Sequence, residues 1–97
     1  MRRELIVTGP AGDPLVAEQM QALRADPDGA RERELDVTER EGGTFLVELM
    51  GKDGGLKARW DNLVGVAELW AKIDAMPMRR RQLREAAAGA PQATRLL

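Results

Sequence analysis

The stretch Thr44 to Trp60, TFLVELMGKDGGLKARW, restricts what this chain can fold into more than any other. Phe45, Val47 and Leu49 alternate with Leu46, Glu48 and Met50, and beyond a glycine-rich link Leu56, Ala58 and Trp60 alternate with Lys57 and Arg59. Alternation at period two means extended strands, each turning one face toward a core. The link Gly51-Lys52-Asp53-Gly54-Gly55 is rich in residues that tolerate positive φ, so it predicts a hairpin turn with a bulge or a slightly longer loop. This hairpin is the expected frame of the domain.

The rest of the chain supplies partners for it. Glu4 to Thr8 (ELIVT) is almost wholly apolar, as suits a central strand covered on both faces. Asp13-Pro14 then combines a side-chain acceptor at an N-cap with a proline at the first helical position, which predicts a helix to about Ala25 with Val16, Met20 and Leu23 inward. Asp26-Pro27-Asp28-Gly29 is expected to end it, and Arg33 to Glu39 follows as a half-buried edge strand with Leu35 and Val37 inward. After a short Glu41-Gly42-Gly43 link and the hairpin, Asp61-Asn62 is the expected cap of a helix whose inner face is Val66, Leu69, Trp70 and Ile73. Pro77 breaks or kinks it, and Met78 to Ala88 is expected to form a trailing basic helix.

The predicted order is β-α-β-β-β-α with a reduced middle helix and a trailing basic helix, an α/β chain. A parallel βαβ half joined to an antiparallel ββα half is the skeleton of the thioredoxin-like fold. Residues 1–88 are expected to form one such domain, with residues 89–97 a disordered tail.

Composition sets the limits on chemistry. At 97 residues the chain holds one modest core, and its three aromatics leave Leu, Val and Met to fill it. It has no cysteine and no histidine. Disulfides, thiol nucleophiles and the nitrogen or sulfur ligands of structural zinc are therefore excluded. Asp26, Asp28 and Asp53 lack calcium-loop spacing, and no cofactor or metal is implied. No apolar run approaches a membrane span or a signal-peptide core. The chain as given is expected to be soluble and cytoplasmic, or periplasmic or secreted if an export signal precedes it. The net charge of −1 conceals an asymmetry: residues 77–97 carry +4, leaving −5 on the preceding body. A basic tail on an acidic body suits anionic ligands or acidic protein partners; one short arginine run without interleaved aromatics argues against nucleic acid.

Two blocks carry a family resemblance. LMGKDGGLKARW at Leu49–Trp60 and IDAMPMRR at Ile73–Arg80 resemble the signature blocks of the bacterial domain-of-unknown-function 4174 family. Weaker echoes are the apolar strand ending at Pro10, Gln19 with Leu23, and Glu32-Arg33-Glu34-Leu35. The resemblance implies a thioredoxin-like fold related to modules of some animal extracellular-matrix and secreted proteins, with no established enzymatic activity. The chain departs from that pattern in lacking a longer insert between the second and third strands and in carrying Gln82 where an acidic residue is more usual.

In a thioredoxin-like fold the redox dithiol would lie between the first strand and first helix, where this chain reads TGPAGDP from Thr8 to Pro14. The polar residues of the two blocks are the remaining candidates: Lys52, Asp53, Lys57, Arg59, Arg79 and Arg80. As a site they would bring cations and the N–H groups of a helix start onto a phosphate, carboxylate or acidic peptide. As structure, Asp53 would close the turn, Lys57 and Arg59 would line a solvated face, and Arg79 or Arg80 would pair with Asp74. The expected function is a non-catalytic binding or interaction domain. The alternative is a redox-accessory or ligand-dependent enzyme acting through a partner's thiols.

Overall fold

The computed structural model describes residues 2–77, 79–81 and 83–85. Four strands, β1 (Arg3–Gly9), β2 (Leu35–Glu41), β3 (Leu46–Met50) and β4 (Leu56–Trp60), form one mixed sheet in the order β2-β1-β3-β4. β1 is parallel to β2 and antiparallel to β3, and β3 is antiparallel to β4. The apolar first strand is central, as its composition requires: Leu5 and Val7 are fully buried and Ile6 is 7% exposed. The fold is α/β.

Both longer helices pack on the same sheet face. α1 (Pro14–Arg24) and α3 (Val66–Asp74) place Val16, Met20, Leu23, Leu69, Trp70 and Ile73 in one cluster with Leu5, Val7, Val47 and Leu49. The opposite face carries Glu4, Ile6, Thr8, Leu46, Glu48 and Met50, and β2 runs into β3 through residues 42–45 without a helix. α1 starts as the Asp13-Pro14 pair predicts, with the Asp13 carboxylate accepting the Leu15 N–H at 2.9 Å. On its inner face Gln19, 1% exposed, meets the backbone of Val64 twice: its Nε2 donates to the carbonyl at 3.0 Å and its Oε1 accepts the N–H at 2.9 Å. A buried amide is tolerable only with such partners, and this one ties the segment before α3 to α1.

Three expectations are corrected. The Asp26-Pro27-Asp28-Gly29 stretch does not lead straight into a strand but opens a second helix, α2 (Pro27–Glu32). The cause repeats that of α1: Asp26 accepts the Gly29 N–H at 3.0 Å and Pro27 sits at the first turn. β2 consequently begins at Leu35 rather than Arg33, after Glu34 takes a left-handed φ of 52°. The second correction is the parity of β4. Leu49 lies opposite Ala58 but Met50 lies opposite Leu56, so Lys57 is an extra bulge residue. The slip moves Leu56 off the core face, where it is 48% exposed, while Ala58 and Trp60 still pack against the core. The third is the start of α3, whose N-cap is Gly65 without a side-chain cap; Asp61 and Asn62 precede a short irregular run that delivers Val64 to Gln19.

The turn itself is close to expectation. Gly54 takes φ of 81°, its N–H donates to the Gly51 carbonyl at 3.0 Å, and Asp53 Oδ1 accepts the Gly55 N–H at 2.9 Å. α3 ends at Asp74 with Ala75 as its cap, and beyond it the described residues of 77–85 are helical. The readings for Met78, Gln82 and residues 86–97 lie outside the described residues.

Gly29 supports a sharp prediction. Alanine in place of glycine within a helix usually stabilises by about 1 kcal/mol. Here a Cβ would fall against Asp26 Oδ2 and within 2.7 Å of Trp70 Nε1, between two atoms that hydrogen-bond each other at 2.8 Å. Gly29→Ala is therefore expected to lower the urea midpoint, and a midpoint equal to wild type or higher would contradict this packing.

Candidate functional site

Two polar centres flank the C-terminal end of α3. The first is built on Asp74. Arg33, from the turn between α2 and β2, donates to it through Nε and Nη2 at 3.1 and 3.0 Å. Arg79 donates Nε to the same carboxylate at 2.9 Å and Nη2 to Glu32 Oε1 at 2.9 Å. Arg33 also lies over the Trp70 ring, 4.9 Å from its centroid, and the indole N–H donates to Asp26 at 2.8 Å. Burial pushes the Asp74 carboxyl up, but the hydrogen bonds from Arg33 and Arg79 outweigh it and hold the carboxyl below its ordinary range. Burial likewise works against the Arg79 charge, and its bonds to Asp74 and Glu32 prevail, so its pKa rises.

The second centre lies where the hairpin turn meets the start of β1 and the end of α3. Here a cavity of about 210 Å³ has Arg3, Lys52, Lys57 and Asp53 as its polar wall and Gly51, Met76 and Pro77 as the remainder. Lys52 pairs with Glu34, whose carboxyl is held below its ordinary range by that hydrogen bond. Lys57 pairs with Asp53 at 2.9 Å, and the hydrogen bonds from Lys57 and the Gly55 N–H hold the Asp53 carboxyl down as well. The Lys57 stem crosses Gly51 so closely that a Cβ there would strike its Cε. A larger residue there would displace the end of that side chain.

Of the six candidate residues, Lys52, Asp53 and Lys57 thus meet at one cavity, and Arg79 joins the neighbouring Asp74 network at 5% exposure. Arg59 lies across from Glu48 on the face away from the core, and Arg80 is exposed; neither makes an ion pair among the described residues. The residue that sequence reasoning missed is Arg3, 1% exposed. Its signal was the alternation Arg3, Leu5, Val7, which puts an arginine on the buried face.

A second cavity, about 590 Å³, lies at the ends of β1 and β2 between the Pro10–Asp13 loop and residues 39–41. This is the Thr8–Pro14 segment, and the chain has no cysteine to place there. Its carboxylate Asp13 is engaged as the α1 cap. Among the described residues no three acidic side chains gather to hold a metal, and no helix is long and apolar enough to cross a membrane.

Residues 38–82 match the family model described as Domain of unknown function (DUF4174). The matched segment runs from β2 to the trailing helical residues and contains all six candidates, whereas Arg3 precedes it. No curated protein and no solved structure matches the chain.

The Asp74 network predicts a pH signature. Because the folded carboxyl titrates below the ordinary aspartate value of about 3.9, its contribution is complete above that value and is lost as pH falls through the depressed one. Asp74→Asn, which mimics the protonated acid, is expected to be clearly less stable than wild type at about pH 7 and to approach it as the pH falls below the ordinary aspartate value. A difference in urea midpoint that stays constant over that range would contradict the assignment.

Proposed function

We propose, from the match of residues 38–82 to the domain-of-unknown-function 4174 family model, that the chain is a non-catalytic binding domain on a thioredoxin-like skeleton. The strand order β2-β1-β3-β4, with a parallel βαβ half and an antiparallel ββα half, supports the skeleton. The lack of any thiol or imidazole supports a non-catalytic role, since nothing in the chain can serve as an activated sulfur nucleophile or a histidine base. Its contact region is the basic mouth beside the hairpin turn, and its ligands are anions.

One observation carries this reading. Three cations, Arg3, Lys52 and Lys57, share the wall of a single concave site with one carboxylate, Asp53. Lys52 and Lys57 each hold one carboxylate, Glu34 and Asp53, so the charge in excess at the site is that of Arg3, whereas Arg33 and Arg79 are saturated by Asp74 and Glu32. An excess of positive charge at a concavity raises the local concentration of anions and gives them charge-assisted hydrogen bonds on arrival.

Titration with a panel of inorganic phosphate, small carboxylates and acidic peptides, followed by amide chemical shifts, tests the proposal. At least one anion is expected to move the resonances of Gly51, Lys52 and Lys57, with affinity falling about tenfold in Lys57→Ala, the scale of one charge-assisted hydrogen bond. Absence of binding by every anion, or binding indifferent to both Lys57→Ala and Lys52→Ala, would overturn it.

A further inference from the structure

Arg3 differs from Arg79, the other buried cation among the described residues. The Arg3 guanidinium has five N–H donors. Among the described residues it makes one side-chain hydrogen bond, Nη1 to the Arg33 carbonyl at 2.7 Å, and no ion pair. Arg33 and Arg79, by contrast, each hold a carboxylate at 3.0 Å or less. A buried charge without a directly bonded counter-charge is expensive, and burial lowers the pKa of Arg3 despite the opposing fields of Glu34 and Asp74. Its nearest carboxylates are committed elsewhere: Glu34 to Lys52 and Asp74 to Arg33 and Arg79. The unfilled donors belong to a side chain that lines the cavity beside the turn.

We propose that this cavity binds a small monocarboxylate with a short apolar body, its carboxylate received by Arg3 and its body lying against Met76 and Pro77. The inference rests on the anion-binding reading above and narrows it to one ligand class. Three features of the wall select that class. The planar fork of an arginine matches two carboxylate oxygens and compensates its own charge in doing so. Met76, Pro77 and the stem of Lys57 offer apolar surface that a bare inorganic anion leaves uncovered. The Asp53 carboxylate on the same wall disfavours a doubly charged phosphate, whose third oxygen would also lack a donor against that apolar side. At about 210 Å³ the space has room for an acid of a few carbons.

The test uses butanoate, the isosteric neutral butanamide and inorganic phosphate, titrated into the full chain and followed by amide shifts of Gly51, Lys52 and Met76. Butanoate is expected to bind at least tenfold more tightly than either of the others. Arg3→Lys, which keeps the charge but loses the fork, is expected to weaken butanoate at least tenfold. Met76→Trp, which adds bulk at the cavity wall and leaves Arg3 unsubstituted, is expected to weaken butanoate at least tenfold, which tests the site even if Arg3→Lys proves poorly folded. Phosphate binding that Lys57→Ala weakens, with no preference for butanoate, would overturn the carboxylate site while leaving the anion-binding domain standing. Binding of neither anion would remove the carboxylate site, and the anion-binding reading would fall with it once the acidic peptides also fail; equal binding of butanoate and butanamide would show an apolar cleft in which Arg3 plays no part.

Discussion

The fold depends on a carboxylate in an unfavourable place. Asp74 closes α3 at its C-terminal end, where the helix dipole already concentrates negative charge. Left alone it would be repelled there. Two guanidiniums reverse the sign of the locality: Arg33 arrives bidentately from the turn between α2 and β2, and Arg79 arrives from the chain beyond Pro77. One side chain thereby joins three segments that share few apolar contacts. Arg79 further binds both the side chain and the carbonyl of Glu32, so the C-terminal end of α2 is drawn into the same knot.

A chain of 97 residues with three aromatics has reason to use such a device. Its apolar core lies on one sheet face only, and α2 is too short to contribute more than Gly29 to the buried set. The polar chain Asp26, Trp70, Arg33, Asp74, Arg79 does for the α2 end of the molecule what side-chain packing does between α1 and the sheet. Partly buried ion pairs such as these add little net stability over apolar packing, but breaking one leaves Arg33 or Arg79 stranded, so they define which arrangement is adopted. The same logic sets Arg3 apart: once Asp74, Glu32 and Glu34 are committed, the charge on β1 has no carboxylate bonded to it among the described residues and feels Glu34 and Asp74 only through their fields.

How much of this could be read from the chain follows from the range of the interactions. Local rules were legible: Asp13-Pro14 as a helix start, the apolar ELIVT strand at the centre, the turn at Gly51 to Gly55, and the inner face of α3 at Leu69, Trp70 and Ile73. The blocks at Leu49–Trp60 and Ile73–Arg80 were enough to indicate the family that residues 38–82 match. α2 was missed because a proline and an aspartate stop one helix with the same chemistry that starts the next, and only the Asp26 bonds to Gly29 and Trp70 decide between them. Leu56 was misplaced because a bulge changes parity without leaving a mark in the alternation. The pairing of Arg79 with Asp74, five residues apart, was readable; that of Arg33 with Asp74, 41 residues apart, was not. Arg3 is the instructive case, since the period-two rule already pointed it inward, but beside Arg2 it passes for half of a solvated basic pair.

The central claim is that Asp74 and Arg33 are coupled rather than merely adjacent. A double-mutant cycle with Arg33→Met and Asp74→Ala, read by urea unfolding near about pH 7, measures this directly. The account predicts an interaction free energy on the order of 1–3 kcal/mol, with the double variant less destabilised than the two single effects combined. Effects that add within about 0.5 kcal/mol would show that the two side chains act independently and that something else holds α3 to the α2 turn.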